Sequence, residues 1–504
     1  MSLRETRPPA WRARSASGPS VRRETLLLAG ILGAAAVIRF ATLSHQSYDH
    51  DEAVTAWRVL HGGLGGTLHA VVASERSPPL YYLLAWAWAQ LFGTGEVGLR
   101  SLSALIGVLT VPAAYLTGRE LASRRAGLIA AALVAVNPYL VWYSQEARSY
   151  ALLVLFGAWG LYFFARCLND PSRRNLALWA AASALALCSH YFAAFPVGAE
   201  GLWLAARRWP RRAPLAAFGA TVAVGLALLP LAITQEGTGR RNHFATVPLL
   251  HRAVGVALGF LASPEPGGLA GSAAVRYLRG AVFVAGLILA ALTLALLLRR
   301  ATPGERRGGL TIAGVAGVAL IVPFALASVG PDFVDDRNLI GALVPLLVAA
   351  GIGLGCRRAG RLGLAAAGAA SLVFVVVLAA VFASGQMQRP DWRGAAAAMG
   401  PPSGPRVLVV ARNGNEPIAY YRDAHEFRPP RFRAVRVREL DVLSTLGTIS
   451  PPGDGFRLTE RRGLAPCCTL WRYRARRATL VRPNDVSGRH ILLERSTALV
   501  EGVR

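Results

Sequence analysis

Leu80 to Phe92, LYYLLAWAWAQLF, is the stretch on which the architecture turns. It is apolar enough to enter a membrane, but its 13 residues fall short of the roughly 20 a helix needs to cross one. Around it the chain carries further apolar runs, at about 25–43, 97–118, 126–142, 151–167, 176–187, 191–206, 214–233, 277–298, 310–329, 339–355 and 362–383. Arginine clusters separate them: in the N-terminal tail, at Arg119 with Arg124 and Arg125, at Arg166 with Arg173 and Arg174, at 207–212, at 299–307 and at 357–361. If Leu80 to Phe92 crosses, the Arg119 cluster falls outside and every later cluster is inverted. If it lies in the interface, anchored by Tyr81, Tyr82, Trp86 and Trp88, all six clusters fall on the cytoplasmic side, as the positive-inside rule requires. The interfacial arrangement is therefore expected, leaving eleven spans with the N-terminus inside and the C-terminus outside.

The composition agrees with a polytopic membrane protein. Of 504 residues 53% are hydrophobic and 16% charged, and mean hydropathy is +0.39. The net charge of +27 comes from arginine alone, since the chain has no lysine. These arginines sit in short clusters between apolar runs rather than on a basic face with interleaved aromatics, which excludes nucleic acid as a partner. Cys167, Cys188, Cys356, Cys467 and Cys468 have no metal-ligand spacing, and the adjacent last two are not expected to bridge. The expected organisation is an Arg-rich cytoplasmic tail (1–23), a membrane body (24–385) whose first outer loop is 44–96, and a small extracytoplasmic α/β domain (386–504). In that domain 406–411, 432–437 and 469–473 read as strands, and 415–421 as a helix.

In this topology the acids collect outside: Asp49, Asp51, Glu52 and Glu75 in the first loop, Glu146 in the second, Asp332, Asp335 and Asp336 later. Arg39, Arg100, Arg148 and Arg337 stand at outer span ends, against the charge rule, where each needs a partner. Salt bridging to nearby acids is expected for Arg39 and Arg100. For Arg148 and Arg337 the expected partner is an anionic lipid headgroup, because a guanidinium grips phosphate through a planar fork of donors. Acids beside such a site suit transfer from a lipid-phosphate sugar, in which a carboxylate such as Asp51 deprotonates an acceptor hydroxyl while positive charge stabilises the departing phosphate. Asp49, His50, Glu146 and His243 offer oxygens and imidazoles to a divalent cation, with Glu146 and His243 the expected ligands. A transporter or flippase of lipid-linked sugars is the alternative, for which Glu200 is the notable polar residue within a span. A non-catalytic scaffold is the third reading.

The order Asp51-Glu52-Ala53, Ser77-Pro78-Pro79-Leu80-Tyr81-Tyr82, Leu99-Arg100, Asn137-Pro138 and Tyr143-Ser144-Gln145-Glu146-Ala147-Arg148-Ser149-Tyr150 resembles glycosyltransferase family 39. Ser189-His190-Tyr191-Phe192, the segment from Arg337 to Pro345, and Asp391-Trp392-Arg393-Gly394 extend the likeness from about Arg39 to Tyr421. That family includes polyprenyl-phosphate-mannose protein mannosyltransferases and is similar to the bacterial aminoarabinose transferases. The resemblance implies the GT-C fold, with interfacial helices in a large first outer loop. It also implies an inverting transfer from a polyprenyl-phosphate sugar to a glycan, lipid or protein acceptor. Asp51 takes the position of the base, and Glu52 a position that helps to hold acceptor or metal. Asp49, His50, Glu146, Arg148, Tyr150, His190, Tyr191 and Arg337 are the substrate-binding positions it points to. Ser77 stands where relatives carry Lys or His, and Asn338 where Tyr is common.

Labelling from outside intact cells tests the orientation. A Ser403→Cys variant should react with an impermeant maleimide and a Ser123→Cys variant should not; outside labelling of the latter would make Leu80 to Phe92 a span.

Overall fold

The computed structural model describes residues 19–207, 212–236, 247–264, 272–330, 332–445, 449–453, 455–486, 491–492 and 495–503. The chain enters through α1 (Pro19–Phe40). The loop after α1 then carries α2 (His50–Ala53), which runs on as a π-helical turn over Val54–Val59, then α3 (Leu64–Ser74) and α4 (Leu80–Phe92). There follow α5 (Glu96–Leu121), α6 (Arg124–Val136), α7 (Pro138–Ser144), α8 (Tyr150–Asn169), α9 (Arg173–Ser189) and α10 (Ala194–Ala206). The body closes with α11 (Arg212–Glu236), α12 (Leu249–Ala262), α13 (Ala273–Arg299), α14 (Pro303–Val329), α15 (Leu343–Gly355) and α16 (Gly360–Ala383).

Among the described residues seven helical segments are long and apolar enough to cross a membrane, and eight if the bent pair α6–α7 is one span. Helices also occupy the other positions read as spans. Of these α9 has 17 residues and α10 has 13, and α1 carries Arg22, Arg23, Glu24 and Arg39. α4 is the 13-residue helix read from the sequence. At 1.5 Å per residue it is about 20 Å long, too short for a core of about 30 Å. It buries Tyr81, Tyr82 and Ala85 and is tied to α5 by Trp88 Nε1, which donates to Gly98 O (3.1 Å) and Ser101 Oγ (3.0 Å).

The apolar run 126–142 does not form one straight helix. Pro138 has no N–H for the carbonyl four residues back, so the helix breaks there and turns by 58°. Asn137 caps the new start, its Oδ1 accepting from Leu140 N (3.0 Å), while its Nδ2 donates to Phe260 O (2.9 Å). The break leaves carbonyls at the end of α6, and Arg39 reaches them, donating to Ala135 O (2.8 Å) and Val134 O (3.3 Å). Arg39 is thus structural, but through the negative end of a helix rather than the acids expected from the sequence. Left unpaired, such buried carbonyls would cost about 1–3 kcal/mol each.

The C-terminal domain begins with α17 (Trp392–Ala398), followed by β1 (Arg406–Ala411), α18 (Asn415–Arg422), β2 (His425–Glu426), β3 (Val435–Ser444), β4 (Phe456–Leu464), β5 (Cys468–Val481), α19 (Pro483–Val486) and β6 (Ser496–Glu501). The sheet order is β2-β6-β1-β3-β5-β4, with β1 and β3 parallel and the other neighbours antiparallel. β3 starts later and runs further than 432–437 because Glu439 and Asp441, which interrupt its apolar pattern, are paired by Arg406 on β1 (2.8 and 3.2 Å). Cys467 and Cys468 correct another expectation, since they are joined in a disulfide. Cys467 N donates to Leu464 O (2.8 Å) in the tight turn from β4 to β5, which holds both side chains in the buried layer.

The domain is stitched to the loop after α1. Tyr48 N donates to Tyr421 Oη (2.7 Å), Ser47 Oγ to Pro390 O (2.9 Å), and Trp392 N to Ser47 Oγ (3.1 Å).

Candidate active site

Asp49 caps the start of α2, and Asp51 and Glu52 lie in its first turn, where free N–H groups favour carboxylates. Helical spacing then separates the two neighbours. Glu52 points into the protein and is fully buried, while the Asp51 side chain remains 34% exposed. Glu52 takes a two-pronged grip from Arg100 (Nε to Oε1 2.8 Å, Nη2 to Oε2 2.6 Å) and also accepts from Ala147 N (3.0 Å) and Asp49 N (3.3 Å). Burial works against its charge, but Arg100 and Arg389 outweigh it and keep the carboxyl below the ordinary range. Arg100 is structural, as expected. Glu52 has both oxygens occupied and presents neither to an acceptor or a metal.

Arg389, just after the last span, was not singled out from the sequence. It is buried, donates to Glu146 Oε2 (2.9 Å), lies 3.7 Å from Glu52 and stacks over Trp142 (4.5 Å to the ring centre). Its signal was present, for it breaks the charge rule as Arg39, Arg100, Arg148 and Arg337 do. It was absorbed into the outer domain, where an arginine needs no explanation.

The open part of the cluster is one ion pair. Arg337 Nη1 donates to Asp51 Oδ2 (2.7 Å), its Nε to Asp335 Oδ2 (2.7 Å), and its side chain is 34% exposed. Around Asp51, burial is outweighed by Arg337, Arg148 and His50, and its carboxyl is held well below the ordinary range. Arg148 pairs with Glu75 (2.6 Å) and stacks over the Tyr82 ring (5.8 Å), while its Nε is enclosed without a partner. Tyr82 Oη also donates to Glu75 (2.6 Å). His190 packs on Tyr150 (5.6 Å between ring centres) and takes Phe192 N on Nδ1 (3.3 Å). Burial, with Arg148 and Arg337 nearby, pushes His190 down to about 3, so it stays neutral.

The structure therefore brings together Asp49, His50, Asp51, Glu146, Arg148, Tyr150, His190 and Arg337 around the buried Glu52. It places Tyr191 differently. The Tyr191 hydroxyl donates to Gln235 Oε1 (2.8 Å), and the Gln235 amide holds Val71 O (3.0 Å) and Ser77 O (3.2 Å), so Tyr191 braces the first outer loop. His243 lies outside the described residues. Among the described residues no three His, Cys, Asp or Glu side chains are arranged to hold a metal ion.

Seven acids (Asp49, Asp51, Glu52, Glu75, Glu146, Asp335 and Asp336) face four arginines (Arg100, Arg148, Arg337 and Arg389). The surplus is three negative charges, 7 − 4, and three carboxyls are pushed towards the protonated form. Asp49 is raised by burial despite Arg389. Burial, with neighbouring Glu52, Asp51 and Asp49, lifts Glu146 to about 7 against the pull of Arg389. Burial and the adjoining Asp335 lift Asp336 to about 8. Crowded together and buried, these three carboxyls hold a proton more tightly than they would in water.

The sequence model of the dolichyl-phosphate-mannose-protein mannosyltransferase family matches residues 76–234, a segment that contains Arg100, Glu146, Arg148 and His190. No curated protein matches the chain in a sequence search. Among solved structures, ArnT from Cupriavidus metallidurans, bound to undecaprenyl phosphate, is 14% identical, with a TM-score of 0.53 over 89% of this chain and 98% of that one. The chain has the GT-C fold. The GT-C oligosaccharyltransferase AglB from Archaeoglobus fulgidus is 14% identical over 77% of this chain and 59% of its own, with a TM-score of 0.45. The Pmt1-Pmt2 protein O-mannosyltransferase complex of S. cerevisiae is 20% identical over 49% and 38%, with a TM-score of 0.34.

The raised carboxyls have a consequence for stability. Glu146 and Asp336 sit above their ordinary values of 4.5 and 3.8, so they favour the folded state fully below those values and lose that contribution as pH climbs through about 7 and about 8. The melting temperature of purified protein should fall between pH 5 and 9. A Glu146→Gln, Asp336→Asn double variant should flatten the fall, and an unchanged slope would show that these groups are ionised throughout.

Proposed function

We propose that the protein is a membrane glycosyltransferase that moves a sugar, with inversion, from a polyprenyl-phosphate donor to an acceptor hydroxyl at the outer membrane face. The observation that carries the reading is the half-open Asp51–Arg337 pair, set beside the unpartnered Nε of Arg148 and above a closed layer of buried charge. A fold relative that binds undecaprenyl phosphate supports the donor class. In this reading all eleven apolar positions cross, 1–23 is cytoplasmic, and Asp51 and the domain after Gln386 face outwards in the cell membrane.

Held by Arg337, Asp51 is a weak base. A donor phosphate arriving at Arg337 and Arg148 draws the guanidinium away, and Asp51 gains basicity as it loses its cation. The acceptor hydroxyl then gives its proton to Asp51 Oδ2 while its oxygen bonds to the anomeric carbon. The bond from that carbon to the phosphate oxygen breaks, and polyprenyl phosphate leaves with the electron pair, its charge met by Arg337 and Arg148. Glu52 acts as a positioning residue, and Tyr150 and His190 wall the site. A divalent cation at Glu146 would compete with Arg389 for the same oxygen. His243 lies outside the described residues, and no step here is routed through a metal. Glu200, which could have marked a transport path, is buried and accepts from Trp179 Nε1 (2.8 Å).

Asp51→Asn should keep the fold and the affinity for polyprenyl phosphate while lowering turnover of polyprenyl-phosphate sugars about a hundredfold to ten-thousandfold. Arg337→Lys loses the fork and should weaken binding of polyprenyl phosphate. Near-wild-type transfer by Asp51→Asn would move the base to Asp49 or Glu146. Unchanged phosphate affinity in Arg337→Lys would remove Arg337 from the donor site.

A further inference from the structure

A second cleft lies between the first outer loop and the outer domain. It holds about 410 Å³, within the range of roughly 300–1,000 Å³ typical of ligand pockets. One wall is the π-helical turn 54–59, which continues the helix bearing Asp51, and the other is formed by α18, β2 and the turn after it. Trp57 and His425 present nearly parallel rings, 18° apart with centres at 6.2 Å. Beside them stand Arg58, Asn415, Glu416 and Glu426. Glu416 and Glu426 are both held by Arg58, the second at 3.5 Å, and Asn415 Oδ1 is enclosed with no donor.

We propose that this cleft binds a carbohydrate, the acceptor glycan of the transfer, a reading that rests on the function proposed above. A sugar ring has one face of C–H groups, which packs on flat aromatic rings, and a rim of hydroxyls, each both donor and acceptor. Trp57 and His425 supply the flat surface at low conformational cost. The paired Glu416–Arg58–Glu426 unit offers acceptors and donors in fixed positions. An apolar ligand would leave these groups unsatisfied. A polypeptide fits less well. β2 is an edge strand of two residues, and Pro429 and Pro430 on the rim have no N–H to extend a ladder along a bound chain. The cleft shares one helical segment with Asp51, so a glycan seated on Trp57 brings its next residue towards the base.

The test uses the full chain in lipid nanodiscs, with mannotetraose, arabinotetraose and galactotetraose as probes and a Ser/Thr-containing acetylated nonapeptide as the comparison, read by saturation-transfer NMR. At least one tetrasaccharide should show saturation at its ring protons. Trp57→Ala and the exposed-site variant His61→Ala bracket the cleft: the first should weaken binding at least tenfold, Trp57→Phe should restore most of it, and His61→Ala should keep the fold with a smaller loss. Saccharide binding lost in Trp57→Ala, together with no transfer from any polyprenyl-phosphate sugar, would support the cleft and sink the transferase reading. Transfer to a glycan without binding at Trp57, binding of the nonapeptide alone, or no saccharide binding would each overturn the cleft.

Discussion

The arrangement depends on one buried ion pair, Glu52 with Arg100. Neither side chain is more than 1% exposed, and Arg100 uses all five of its N–H donors. Besides Glu52 it binds Leu43 O (2.9 Å), Gln46 O (2.6 Å) and Ser47 O (2.9 Å), so the chain leaving the first span is wrapped around its guanidinium. Lysine has three donors and no fork, and it could not hold this loop. Breaking a buried pair by removing one partner costs about 3–5 kcal/mol, because the other charge is stranded. The same grip that buries Glu52 turns Asp51 outwards.

From that fixed point the rest of the charge falls into two layers. The inner layer, Glu52, Arg100, Arg389 and Glu146, ties the first loop, the second loop and the start of the outer domain together. The outer layer, Asp51, Arg337 and Arg148 with Glu75, is the part that can exchange partners. Carboxylates outnumber guanidiniums, and burial pushes Asp49, Glu146 and Asp336 towards the protonated form. Arg337 is shared by two acids, Asp51 and Asp335, each at 2.7 Å.

Much of the body was legible in the sequence, because apolar run length and arginine placement are physical requirements of a bilayer. The 13-residue α4, a separate sheet domain after Gln386, and the need of Arg100, Arg148 and Arg337 for partners all follow from those requirements. Pairing was not legible. Asp51 and Arg337 are 286 residues apart and Glu146 and Arg389 are 243 apart, and nothing local says which acid meets which arginine. Neighbours in sequence also misled. Glu52 and Tyr191 stand next to Asp51 and His190 in sequence, yet their side chains meet Arg100 and Gln235 instead. At Asn137-Pro138 the signal for a break was in plain view, but only the fold shows that Arg39 answers it with helix-end carbonyls.

The central claim is that a lipid phosphate takes Arg337 from Asp51 while the Glu52–Arg100 pair stays closed. A cryo-EM structure of the protein in nanodiscs with polyprenyl phosphate tests it directly. The account predicts phosphate oxygens within about 2.7–2.9 Å of the Arg337 guanidinium, Asp51 released, and Glu52 still gripped by Arg100. Phosphate bound elsewhere with the Asp51–Arg337 pair intact, or Arg100 drawn off Glu52 to meet it, would contradict the account.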